Sequence, residues 1–125
     1  MNRRILVIVD ERNMRALLER VFSRKGFEVV SVSGPDDVAE LIRNSDFLLL
    51  VIDLRVCGPE VINFVKKLRE DTGYSNKCIV IAEHPGIHAV MESGDTGISG
   101  FLIRPFDLSE LDNAVQQAVG TIGWK

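Results

Sequence analysis

Cysteine is scarce in this chain: Cys57 and Cys78 are the only two, far apart, so neither a CxxC pair nor a disulfide framework is expected. Long apolar runs are missing as well. The longest, Phe47–Ile52, is much too short to cross a bilayer, and the cationic start Asn2-Arg3-Arg4 leads into no signal-peptide segment. Nor is there an excess of positive charge. Fifteen Lys+Arg stand against 18 Asp+Glu, a net charge of −3, which gives no global attraction to nucleic acid. No internal repeat, low-complexity tract or linker is visible. What is present is a 46% apolar share over 125 residues, enough to bury one core. The expectation is a cytoplasmic protein with one domain over residues 1–125, acting without a membrane and without direct contact to nucleic acid.

Apolar runs alternate with helical patterns along the whole chain. Ile5–Val9 is a continuous run rich in β-branched residues, apolar on both faces, as a strand covered on both sides requires. Met14, Leu17, Leu18, Val21 and Phe22 then mark one helical face, stopped by Gly26. Glu28–Val32 reads as a second strand, and Ser33–Asp36 as a turn into a helix carrying Val38, Leu41 and Ile42. Phe47–Ile52 is a third buried strand, ending at Asp53. Val61, Phe64, Val65 and Leu68 form another helical face, with Lys66, Lys67 and Arg69 expected on its solvated side. Cys78–Ile81 and Gly100–Ile103 read as the fourth and fifth strands, separated by a weakly signalled helix over His84–Ser93. Asp107 with Glu110 resembles a capping box ahead of Leu111, Ala114, Val115, Ala118, Val119 and Ile122.

Five strand-helix units predict an α/β fold, a doubly wound five-stranded parallel sheet with right-handed crossovers and helices on both faces. In such sheets the working site lies beyond the carboxyl ends of the strands. That rule selects Asp10-Glu11, Asp53, Ala82-Glu83 and Arg104-Pro105. Strands 1 and 3 are neighbours in the common doubly wound sheets, so Asp10, Glu11 and Asp53 are expected to converge. Carboxylates roughly 4–6 Å apart repel by on the order of 3 kcal/mol per pair at an effective dielectric near 20. A bound cation relieves this, and hard oxygen donors on a small open site suit Mg²⁺. Solvent-facing loop acids are the plain alternative.

These residues, in this order, resemble a response-regulator receiver domain of two-component signalling over nearly the whole chain. The resemblance rests on Ile5–Glu11, on Phe47–Asp53, on Gly97-Ile98-Ser99-Gly100-Phe101, on Arg104-Pro105-Phe106 and on Leu108–Leu111. It implies a flavodoxin-like fold with strand order 2-1-3-4-5. It also implies that Asp53 accepts a phosphoryl group from a histidine kinase, a phosphotransfer protein or a small phosphodonor. Asp10 or Glu11, Asp53 and the main-chain carbonyl of Arg55 would hold Mg²⁺. Output would pass to a downstream protein through the face of the fourth helix, fifth strand and last helix. Such a receiver transfers a phosphoryl group to itself and is not a turnover enzyme.

The chain departs from that family pattern where a hydroxyl is usual, at Ala82, and where Lys is usual, at Arg104. The loop after Asp53 reads Val56-Cys57 in place of Met-Pro. Arg104 keeps the charge needed to pair with Asp53 or a phosphoryl oxygen, though its planar fork is no copy of an ammonium. Ala82 removes a hydrogen bond to a charged group worth roughly 1.5–3 kcal/mol. Flipping a switch from about 1:99 to 99:1 needs about 5.5 kcal/mol, so a pseudo-receiver that docks partners irrespective of phosphate is the rival reading. Phe101 stands at the family's switch aromatic and also reads as plain core.

Other candidates are weaker. A haloacid-dehalogenase-like phosphatase needs a second Asp where Arg55 stands. A flavodoxin-like nucleotide binder needs a phosphate loop where Asp10-Glu11 stand. His84 and His88 read as surface histidines, Cys57 lacks the neighbours of a redox thiol, and Trp124-Lys125 read as a tail packing on the last helix.

Overall fold

The computed structural model describes residues 3–57, 61–74, 77–83 and 98–120. The strands are β1 (Arg4–Ile8), β2 (Glu28–Val32), β3 (Leu49–Asp53), β4 (Lys77–Ala82) and β5 (Gly100–Ile103). All neighbours pair in parallel, in the order β2-β1-β3-β4-β5. The expected topology is therefore present, and β3 is buried along its whole length. The helices are α1 (Arg12–Arg24), α2 (Val38–Asn44), the single turn α3 (Leu54–Cys57), α4 (Val61–Thr72) and α5 (Leu108–Val119). The helix expected over His84–Ser93, both histidines and the Trp124-Lys125 tail lie outside the described residues.

Period-two alternation of the strands divides the interior into two cores, one on each face of the sheet. Ile5, Val7, Leu49, Val51, Ile79 and Ile81 pack with Leu18 and Phe22 of α1 and Leu111 and Val115 of α5. Leu6, Ile8, Leu50, Ile52, Cys78 and Val80 pack instead with Val38 and Ile42 of α2 and Val61, Val65 and Leu68 of α4. Phe101 joins this second core as a partly buried neighbour. Strands that are apolar on both faces have no other way to leave water than under helices on both sides.

The helix ends show why the chain turns where it does. Gly26 follows α1 at φ +90°, a left-handed conformation glycine adopts freely, and an added Cβ would lie 3.1 Å from the Arg3 guanidinium. Arg3 needs that space: its Nη2 donates to the Lys25 carbonyl at 2.8 Å and its Nε to the Gly26 carbonyl at 3.0 Å, while it stacks on Phe27. At α5 the expected capping box is formed, Asp107 accepting from the Glu110 amide at 2.9 Å and Glu110 from the Asp107 amide at 3.2 Å. Arg69 corrects an expectation. It is half-buried and donates to the Tyr74 carbonyl at 3.0 Å with its guanidinium over the Tyr74 ring, because the chain folds back there after Gly73. Lys66 and Lys67 are exposed as expected.

Candidate functional site

Four strand ends meet at the carboxyl edge of the sheet, and their pairing fixes what faces what. Asp53 is the last residue of β3 and pairs with Ile81 of β4, so Ala82 and Glu83 run just past it. The Arg104 amide donates to the Ala82 carbonyl at 2.8 Å, extending the β4–β5 ladder by one bond and holding Arg104 beside the end of β4. On the other side the Val9 amide donates to the Val32 carbonyl at 3.0 Å, carrying β1 up to Asp10. Arg15, one turn into α1, donates to the Val9 and Asp10 carbonyls, each at 2.9 Å, and so fastens the β1–α1 connection.

Asp53 is the one charged residue buried among the described residues, at 1% exposure. A carboxylate there needs partners, and it has them. Its Oδ1 accepts the Arg55 amide at 2.9 Å. Its Oδ2 accepts from Nη2 of Arg104, whose side chain is itself mostly buried. The Arg55 guanidinium adds a longer approach, Nε to Oδ2 at 3.7 Å. Arg104 is the firm partner, since a charge-assisted bond between two buried groups is far stronger than exposed pairing. The Arg104 Nε–H is buried and has no acceptor among the described residues. An unspent buried donor costs about 1–3 kcal/mol.

The carboxylates do not converge as a bare trio. Asp10 is half-exposed, and the group between it and Asp53 is the Arg55 guanidinium, 3.8 Å from Asp10 and 3.4 Å from Glu83. Glu11 is used elsewhere. As the N-cap of α1 it accepts from the Asn13 amide at 3.1 Å and the Met14 amide at 2.9 Å, satisfying N–H groups that the helix itself leaves open. Among the described residues no three His, Cys, Asp or Glu side chains form a group able to hold a metal ion. Asp10 and Asp53 nonetheless reach one common cation, the Arg55 guanidinium. An oxygen pair of that kind suits Mg²⁺, which binds through one or two carboxylates and keeps several waters.

Ala82 ends β4 buried and offers no hydroxyl. The Arg55 side chain and Glu83 take parts in the site that the sequence does not spell out, where only the Arg55 carbonyl is expected to contribute. The signal available was charge complementarity: a guanidinium two residues past Asp53 beside acids at two neighbouring strand ends. Cys57 lies in α3, one turn beyond Asp53. Alongside the site runs a groove of about 540 Å³ between α1 and the β5–α5 connection, lined by Met14, Leu17, Glu83, Arg104, Pro105 and Phe106.

Comparison with known proteins agrees with this architecture. A family model described as the response regulator receiver domain matches residues 5–116. Sporulation initiation phosphotransferase F of Bacillus subtilis is 22% identical over 117 residues, covering 94% of each chain. Chemotaxis protein CheY1 of Helicobacter pylori is 26% identical over 121 residues, covering 94% of this chain and 98% of the other. The crystal structure of a response regulator from Thermotoga maritima superposes with a TM-score of 0.81 at 18% identity, covering 97% of this chain and all of that one.

Proposed function

The chain belongs to the response regulator receiver domain family of two-component signalling, and from that premise we propose that Asp53 is a phosphoacceptor whose state is read by partner proteins. One observation carries the reading: a buried carboxylate ends the central strand at the open edge of the sheet, bonded to Arg104. Arg104 still holds a buried N–H to spend. Phosphoryl transfer leaves little covalent work for the protein beyond positioning and charge. An Asp53 carboxylate oxygen forms the new bond to phosphorus. The bond from phosphorus to the donor's leaving group breaks, that group being acetate from acetyl phosphate or the imidazole of a kinase histidine. Arg104 stabilises the phosphoryl oxygens and can give its spare Nε–H to one of them.

Asp10 and Asp53, with the Arg55 carbonyl, are the groups that would hold Mg²⁺, which when bound neutralises charge on the transferred group. The groove beside Glu83 and Arg104 gives a phosphodonor protein, a histidine kinase or phosphotransfer protein, a partly apolar seat next to the acceptor. Downstream output passes by protein contact, and the domain transfers a phosphoryl group to itself without turning over a substrate. Cytoplasmic residence fits this role, and no helix among the described residues is long and apolar enough to cross a membrane.

A pseudo-receiver, docking partners irrespective of phosphate, is the second reading. It is favoured by Ala82 and by the engagement of Asp53 with two arginines. Intact mass after incubation with acetyl phosphate and Mg²⁺ separates the two. A gain of one phosphoryl group, absent in Asp53→Asn, is the expected outcome. No gain, in a wild type that also fails to bind Mg²⁺, leaves the docking module.

A further inference from the structure

We propose that the Arg55 guanidinium is a built-in competitor for the divalent cation, occupying the place between Asp10 and Asp53 until the metal displaces it. The inference rests on the phosphoacceptor reading for the identity of that cation and goes beyond it in assigning the Arg55 side chain a role. Three carboxylates from three strand ends surround this one guanidinium: Asp10 after β1 at 3.8 Å, Asp53 of β3 at 3.7 Å and Glu83 after β4 at 3.4 Å. Backbone geometry does not require the arrangement. The Arg55 amide is already anchored on Asp53 Oδ1, so the direction of the side chain is set by the acids it meets.

Displacement is feasible because the clasp is shallow. The Arg55 side chain is 43% exposed, and Asp10 and Glu83 are about as open, so these pairs are screened by water. Arg104 holds Asp53 far more firmly and stays in place. A doubly charged ion at Asp10 and Asp53 repels a guanidinium a few ångströms away, and Glu83 offers the released group an exposed partner. The metal-free site is thereby kept close to electrical balance, and occupancy by the metal is coupled to movement of one side chain.

The test is calorimetric titration of the whole chain with Mg²⁺ alone at fixed ionic strength. Arg55→Gln should tighten binding about tenfold, from loss of one positive charge in a partly exposed site. Arg55→Lys, which keeps the charge on a shorter reach, should gain less. Arg12→Gln is the control: it removes a positive charge from the exposed first turn of α1, near the same edge of the sheet. It should stay within about twofold of wild type, because Arg12 does not stand between the carboxylates. An equal gain in Arg12→Gln overturns the proposal in favour of a general field. So does an unchanged or weaker affinity in Arg55→Gln, or no binding in any variant. The phosphoacceptor reading fails separately, if the affinities fall in the expected order while acetyl phosphate adds no mass.

Discussion

Ala82 and Arg104 sit side by side at the carboxyl edge of the sheet, joined by a backbone hydrogen bond, and the proposed phosphoacceptor role of Asp53 turns on what these two residues offer. Arg104 supplies charge and a spare donor; Ala82 supplies a methyl group. Restoring a hydroxyl with Ala82→Ser adds one small polar atom at a buried strand end. With a beryllofluoride adduct on Asp53 as phosphoryl mimic, the serine variant should gain roughly 1.5–3 kcal/mol more stabilisation than wild type, the worth of a hydrogen bond to a charged group. Thermal melts of both proteins with and without the mimic read this directly. Equal shifts would mean that a hydroxyl at this position cannot reach the adduct, and that Ala82 does not limit its stabilisation. The meeting of Asp53 and Arg104 at one edge was legible from the order of residues, because both follow runs that read as strands and parallel strands bring their carboxyl ends together. The Arg55–Glu83 contact was legible only as a complement of charges, since the pairing itself depends on the β3–β4 register and on rotamers that no linear pattern records.

The strands were the easiest elements to read, because a five-residue β-branched run has few other fates. The α5 capping box was equally plain, its two acids standing three apart ahead of an apolar stripe. Less plain was the junction from α4 to β4, where Arg69 was expected in water and instead covers Tyr74. Tyr74 is buried, its hydroxyl donating to the Lys77 carbonyl at 2.9 Å. Burial pushes this hydroxyl well above the usual tyrosine range, nearby Cys78 adds to the rise, and Arg69 opposes it. A group whose folded pKa is raised contributes stability that is intact below its unfolded value, about 10. That stability is lost as pH climbs from there toward the folded value. Between about pH 9 and 11 the wild type should lose on the order of 1 kcal/mol more than Tyr74→Phe, which has no proton to release. Urea denaturation at several pH values in that window gives the difference, and parallel losses would show that Tyr74 ionises equally well folded and unfolded.

Two cores on opposite faces of one sheet raise the question of whether the molecule unfolds as a unit. Leu49 and Val51 belong to the α1/α5 side and Leu50 and Ile52 to the α2/α4 side, so β3 is a wall common to both. Its registered neighbours β1 and β4 serve both cores in the same way. Removing packing atoms from one face weakens a strand that the other face needs, and the cores should therefore fail together. Leu50→Ala, at a fully buried position, should cost about 2–5 kcal/mol through lost transfer energy and a residual cavity. Native-state hydrogen exchange resolves how that cost is shared. If the sheet is one cooperative unit, the slowest amides of α1 and α5 lose protection by the same free energy as those of α4, although Leu50 packs on the opposite side. Protection retained in α1 and α5 alone would instead mean two units joined along β3. For the proposed phosphoacceptor role the distinction matters: Asp53 is the end of that shared wall, and a wall that holds together as one unit would carry a change at its edge to helices on both faces.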